Sequence, residues 1–413
     1  MKYVLLGLLA VSWTKAQPLQ TYLEELRLNN PELLALEARI QAQGEMVTVA
    51  KALPDPQLGV AVNLETVETR VGPQYGRLSI SQMVPGFGKR ALREALALKQ
   101  QETMKEEYQS ARLRLESEFR KLFADLYLLG QTIEINRTHL ELLRELEEVV
   151  TERYVHSLAP YQDLTRIQIE IDKMQDRILT QERLAFPIMA KMCRLLGRAV
   201  LELPFPTALP PVPSLDDKES LLQNSMRENP SLRATHHKQK AADLQMDLAA
   251  KERVPDFRFG IDYIPTGTSA MNPPDNGKDP IMVSVGVSLP IWRKKIRAQQ
   301  GAAAFHREAV DHELNGTSLQ IESLLEQSLY ELDDAQRKMD LFGVQILPKA
   351  RESLEVILTG FQNNTASFLD LIQAENALLE FSLMEIEAQS RRYKAFASVL
   401  AITAASEVPH ETP

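Results

Sequence analysis

A single cysteine, Cys193, stands in 413 residues, which excludes a disulfide framework within the chain. Aromatic residues are scarce at 6%, and glycines number only 17 against a charged fraction of 25%. That balance belongs to long-helix proteins more than to a typical enzyme. Basic residues are outnumbered, giving a formal charge of −9. Nucleic acid is thereby disfavoured as a partner, since phosphate binding needs a basic face. Past residue 16 no apolar run of about 18 residues occurs, so no membrane-spanning helix is predicted. No nucleophile–base constellation, phosphate loop or zinc spacing is found. The chain offers no candidate catalytic residues and no cofactor or metal site.

The first residues are different in kind. Lys2 gives a short positive start, Val4 to Val11 form an apolar run, and Thr14 and Ala16 are small residues placed for cleavage. The expected organisation is a signal peptide over 1–16 and a mature chain from Gln17. No cysteine follows the cut to carry a lipid anchor. An exported, helix-rich chain of this kind is either soluble or crosses a membrane only as strands.

The chain also repeats itself. Asn30-Pro31-Glu32-Leu33 returns as Asn229-Pro230-Ser231-Leu232, and Pro54-Asp55 returns as Pro255-Asp256. Leu78 to Pro85 parallels Val283 to Pro290, and Tyr154 through Asp163-Leu164 parallels Phe361 through Asp370-Leu371. Four matches in one order indicate an internal duplication. The repeats are expected over 17–203 and 215–404, each reading helix, strand, strand, long helix, helix. A proline-rich linker over 204–214 joins them, and 405–413 is expected to be a disordered tail.

Two strands are expected in each half, over Gln57–Leu64, Arg77–Val84, Phe257–Tyr263 and Val283–Leu289. Leu58, Val60 and Val62 alternate with small or polar residues, as do Phe257, Phe259 and Ile261, and Val283, Val285 and Val287. Gln82 interrupts the second strand. Alternation puts one set on each face; an ordinary half-buried sheet gives the same pattern. The number of strands argues further, because about eight is the smallest number that closes a barrel. Four must stay an open sheet or be pooled between chains, and three chains would supply roughly twelve. Glu65–Tyr75 and Pro265–Pro280 are expected to be long polar loops.

Aromatic and basic residues meet at the other end of both hairpins: Phe87 with Lys89 and Arg90, and Trp292 with Lys294 and Lys295. This pairing suits a membrane–water boundary. Beyond it, Ala91 to about Glu152 reads as one helix with Leu122, Leu126, Leu129 and Ile133 as its seam. Some sixty residues at about 1.5 Å each give roughly 90 Å. The second half repeats the rod, with a kink expected at Pro348. Asp163 and Asp370 follow the turns at the rod tips. Each either caps its helix or, repeated by symmetry, joins an acidic ring at a mouth.

Taken together, Asn30 to Leu33, Leu53 to Pro56, Gln82 to Arg90 and Phe368 to Ala374 resemble the TolC-like outer-membrane efflux proteins. The likeness leans to their heavy-metal (CzcC/CusC-type) branch. It implies a mainly α fold with membrane β structure. In that fold, long helical hairpins form a periplasmic tunnel, and four strands per chain enter a trimeric, twelve-stranded β-barrel. It implies a homotrimer in the bacterial outer membrane that works with a periplasmic adaptor and an inner-membrane pump of RND type. The function implied is a passive exit duct for metal ions or small molecules. A duct for type I protein secretion and a soluble periplasmic coiled-coil scaffold are the alternatives. Asp370 matches an acidic gate position, whereas Gln373 stands where a second acid is frequent. Phe361 and Ala366 replace a tyrosine and an arginine found at some tips.

Overall fold

The computed structural model describes residues 19–200, 202–363 and 365–405; the expected signal peptide over 1–16 and the tail beyond 405 lie outside the described residues. The first half runs α1 (Leu19–Asn29), α2 (Pro31–Lys51), β1 (Gln57–Thr69), β2 (Gly72–Val84), α3 (Lys89–Val155) and α4 (Tyr161–Leu195). The second runs α5 (Lys218–Glu228), α6 (Pro230–Lys251), β3 (Phe257–Tyr263), β4 (Ile281–Val287), α7 (Arg293–Met339), a π-helical segment (Asp340–Ile346), α8 (Leu347–Gln362) and α9 (Phe368–Thr403). No described helix is long and apolar enough to cross a membrane. The two halves have the same order of elements, as a duplication requires.

Two compact units draw on both halves. One comprises residues 1–35, 108–230 and 318–413 and is helical; the other comprises 36–107 and 231–317 and contains the sheet. In the helical unit, Leu126, Leu129 and Ile133 of the seam are buried with Phe119, Met189, Met192, Cys193, Tyr393 and Phe396. A second core gathers Leu143, Leu146, Val150, Ile167, Ile171, Phe361, Phe368 and Leu371.

The repeated Asn-Pro motif has a physical reason. Asn30 Oδ1 accepts from the backbone N–H of Glu32 and Leu33, while its Nδ2 donates to Leu195 O at 2.8 Å. One buried side chain therefore caps the start of α2 and satisfies a carbonyl at the end of α4. Asn229 makes the matching bond, Nδ2 to Ile402 O at 2.8 Å, at the end of α9. Pro31 and Pro230 open their helices where a missing N–H costs nothing.

Gly130 lies within α3 where the proline-rich stretch crosses it. A Cβ there would stand 2.9 Å from Phe205 Cδ1 and 3.2 Å from Phe205 Cβ. Gly130→Ala is expected to push Phe205 off α3 and lower the thermal midpoint. Gly316→Ala, where the added methyl meets open space, is expected to leave the midpoint level or raise it slightly. Paired unfolding curves check this, and equal midpoints would refute the contact.

The kink expected at Pro348 takes the form of the π-helical segment just before it. Proline has no N–H to offer the carbonyl four residues back. The ladder instead widens upstream, where the Leu347 N–H reaches Phe342 O, five residues away.

In the sheet-bearing unit the helices approach through small residues, with Ala97, Ala242 and Ala303 buried. Polar contacts do the rest: Arg233 with Glu106 at 2.7 Å, His237 with Glu102 at 2.9 Å and Lys238 with Glu107 at 2.9 Å.

Candidate functional site

The four strands form one antiparallel sheet in the order β1-β2-β3-β4. Its register aligns the apolar residues of both halves. Leu58 faces Ile80, which faces Ile261, which faces Val283; Val60 faces Leu78, then Tyr263, then Ile281. Phe257 and Phe259 are opposite Val287 and Val285. These residues form one apolar face, broken only by Gln82, whose amide nitrogen donates to Pro54 O at 2.6 Å. The opposite face carries Gly59, Ser79, Ser81, Gly260 and Ser284, with Arg77 bonded to Asp262 at 2.9 Å.

Apart from Phe87, whose ring meets that of Phe257 edge-on at 6.2 Å, that apolar face is largely uncovered. Val60, Val62 and Val283 are 72%, 73% and 74% exposed, and β1 and β4 each have one unpaired edge. A continuous apolar surface with open edges is untenable in water. In hydrocarbon the apolar side is suited to lipid, but every edge N–H and C=O must find a partner.

The strand boundaries correct two expectations. Glu65–Tyr75 is mostly strand, since β1 continues to Thr69 and β2 starts at Gly72. Glu65, Gly72 and Pro73 look like loop residues. A register shift between Val62 and Val67 nevertheless absorbs the irregularity and lets Thr66, Val67 and Thr69 extend the strand. β4 occupies 281–287 rather than 283–289, because Ile281 and Met282 pair with Tyr263 and Asp262. Pro265–Pro280 is a loop. It is tied to the β1–β2 turn by Gly267 N–H to Pro73 O and Gly277 N–H to Val71 O, both 2.7 Å, and by Arg70 to Asp275 at 2.6 Å.

At the strand ends nearest α3 and α7, Phe87, Arg90, Trp292, Lys294 and Lys295 are exposed. Lys89 is different. It is buried, with Nζ 3.0 Å from Asp256 Oδ1, and the same oxygen accepts the Gly86 N–H at 2.7 Å. Its charge is engaged inside the protein by a carboxylate distant in sequence, so the sequence cluster overstated the free cations there.

The tip residues divide in the same way. Phe361 is a core residue: Arg153 Nη1 donates to its carbonyl at 2.5 Å, the guanidinium carbon lies 4.4 Å from its ring centre, and Phe368 is 6.0 Å away. Arg153 thus satisfies a last-turn carbonyl of α8 and covers a ring. Asp370 closes a capping box with Ser367. The Ser367 Oγ accepts the Asp370 N–H at 3.2 Å, and Asp370 Oδ2 accepts from the Ser367 hydroxyl and N–H at 2.6 and 3.1 Å. The hydroxyl first, then the amide, holds this exposed carboxyl below its ordinary range. Asp163 begins α4 after Pro160, which offers no side-chain cap. Partial burial raises its carboxyl, against the pull of Arg166 and Arg153. Gln373 is exposed one turn beyond Asp370. No bond joins Asp163 to Asp370 within the described chain. The sequence signalled neither Arg153 nor Ser367; a Ser-x-x-Asp spacing was the available cue for the latter.

Comparison with known proteins fits this geometry. No match was found among curated protein sequences. In fold, the chain is similar to VceC from Vibrio cholerae at TM-score 0.77 and 17% identity, covering 93% of this chain and 95% of that one. It is similar to CusC at TM-score 0.79 and 14% identity, covering 93% and 91%. It is also similar to the open state of the Neisseria gonorrhoeae MtrE outer membrane channel at TM-score 0.75 and 15% identity, covering 93% and 88%. One family model, described as outer membrane efflux protein, matches twice, at residues 22–197 and 221–405. The repeated match falls on the two halves that share an order of elements, and the chain belongs to the outer membrane efflux protein family.

Proposed function

We propose that three copies of this chain pool their sheets into a twelve-stranded barrel in the outer membrane, and that their helices form the periplasmic part of a passive exit duct. The observation that carries this reading is the largely uncovered apolar sheet face flanked by two unpaired edges. Identical neighbours supply the missing hydrogen bonds, lipid covers the apolar side, and the Ser-, Gly- and Arg-bearing side faces water. The exposed Phe87, Arg90, Trp292, Lys294 and Lys295 then lie at the periplasmic boundary of the lipid. Energy comes from an inner-membrane pump, of RND type, through a periplasmic adaptor. The turn joining α3 to α4, with Val155, Leu158 and Tyr161 exposed, is the surface offered to that adaptor. The cargo is metal ions or other small molecules, and a duct for type I protein secretion is the alternative.

The test is physical. Detergent-extracted protein is expected to run as a heat-modifiable trimer and to form channels in planar bilayers. A monomer that stays in the aqueous fraction and gives no conductance would overturn the duct and favour the soluble scaffold. In the trimer Asp370, ionised and exposed, lies in the acidic ring of the gate, with Asp163, Gln373 and Phe361 beside it at the tips. Asp370→Asn is expected to weaken block by divalent cations and to change conductance. An unaltered channel would take Asp370 out of the gate.

A further inference from the structure

Among the described residues, only the second half of the duplication buries a carboxyl group near its tip. Glu375 lies on α9 one turn from Leu371 and one turn from Leu379, all three buried. It is 1% exposed, and neither carboxyl oxygen has a hydrogen-bond donor among the described residues. His139 Nδ1 on α3 lies 3.3 Å from Oε1, and His139 is 8% exposed. Asn136, one turn before His139, donates through Nδ2 to Gln181 Oε1 of α4 at 2.7 Å, while its Oδ1 has no partner among the described residues. From α4, Arg177 and Glu170 act on His139 in opposite senses. α8 turns Leu354, Ile357, Leu358 and Phe361 to this core, while its Arg351, Glu352 and Glu355 are exposed. Among the described residues no cation compensates Glu375.

An ionised carboxylate without donors is costly in such a place. Burial pushes the Glu375 carboxyl up to about 8. The His139 imidazole is pushed down to about 4 by burial and then by Arg177, against Glu170. Near neutral pH both groups are uncharged, and the carboxyl O–H faces an imidazole nitrogen able to accept.

The duplication supplies an internal control. Following the Asp163–Asp370 match along the helix pairs Glu375 with Gln168, which is exposed and donates to Glu147 at 3.0 Å. Following the Tyr154–Phe361 match back pairs His139 with Ile346. The corresponding pair, Gln168 on α4 and Ile346 at the end of the π-helical segment, carries neither ionisable group.

We infer that His139 and Glu375 form a buried proton-binding site that locks α9 onto α3: one proton held between carboxyl and imidazole lets the helices pack, and its release leaves an uncompensated anion that loosens them. The inference does not depend on the duct, since it concerns packing within one chain. The direction with pH follows from both partners. The folded-state value of Glu375 lies above the ordinary 4.5, so its contribution is complete below that value and is lost as pH rises through about 8. His139 is depressed from 6.5, so its contribution is complete above that value and is lost as pH falls through about 4. The bundle is most secure between 4.5 and 6.5.

Two measurements on the full-length, detergent-extracted protein test this. Infrared spectra at pH 7 should show the carbonyl stretch of a protonated carboxyl, vanishing as pH passes about 8. Hydrogen-exchange protection of 371–379, corrected for intrinsic rate, should fall over the same interval. Glu375→Gln should lose the band and keep its protection through that interval. His139→Gln keeps the carboxyl but changes its acceptor, so the band should shift in frequency. A wild type without the band at pH 7, a band that survives Glu375→Gln, a band unmoved by His139→Gln, or equal alkaline loss in Glu375→Gln and wild type would each overturn the site.

Discussion

Val283→Lys is expected to abolish assembly in the outer membrane, while Ser284→Lys, the next residue along β4, is expected to assemble and conduct. Val283 faces Ile261 in the middle of the apolar side, and Ser284 faces Gly260 on the opposite side. A lysine at mid-depth on the lipid face of a barrel costs about 2–4 kcal/mol. Threefold assembly imposes that cost three times over. On the water-filled side the same charge stays hydrated and costs little. Heat-modifiable migration of membrane fractions reads both variants. Equal assembly of the two would mean that the apolar side does not face lipid.

The second large effect is expected from Asn30→Ala. Removing the side chain uncaps α2, a loss of about 1 kcal/mol, and strands the buried carbonyl of Leu195, a further loss of about 1–3 kcal/mol. Asn30→Ser restores a good cap, but its hydroxyl is too short to reach Leu195 O, so it should recover the first loss and not the second. Denaturant midpoints of the three proteins separate the two contributions. If alanine and serine behave alike, the cap is not what the motif supplies. Asn229→Ala should repeat the effect at Ile402, whose carbonyl accepts from Asn229 at 2.8 Å.

These residues also mark how far sequence reading reaches. The Asn-Pro pairs were visible because the duplication shows them twice, and the alternation over Phe257–Tyr263 set β3 to the residue. The long β1–β2 hairpin was hidden because Gly72 and Pro73 ordinarily punctuate loops. Here Gly72, with φ +131, closes a two-residue turn between strands held by the ladder. Lys89 looked like a free cation because Asp256 is far along the chain. Glu375 reads in isolation as one more charge on a helix, although Leu371 and Leu379 one turn to either side place it on the buried stripe. A polar residue on that stripe is the cue, and its partner on α3 is known only once the helices are packed. The tips were legible as positions and not as chemistry: two matched aspartates follow two turns, yet one is capped by Ser367 and the other crowded by its neighbours.

The widened stretch at Asp340–Ile346 has its own arithmetic. A π segment holds one residue more than the α-helix it interrupts, so it turns everything after it by roughly 100° relative to an unbroken rod. Beyond the segment, Leu354, Ile357 and Phe361 pack inward. The two rods of one chain are thus wound out of phase near the tips, α3 without interruption and α7 to α8 with a slipped stitch. One rod of the duplicated sequence carries an extra residue that its counterpart lacks.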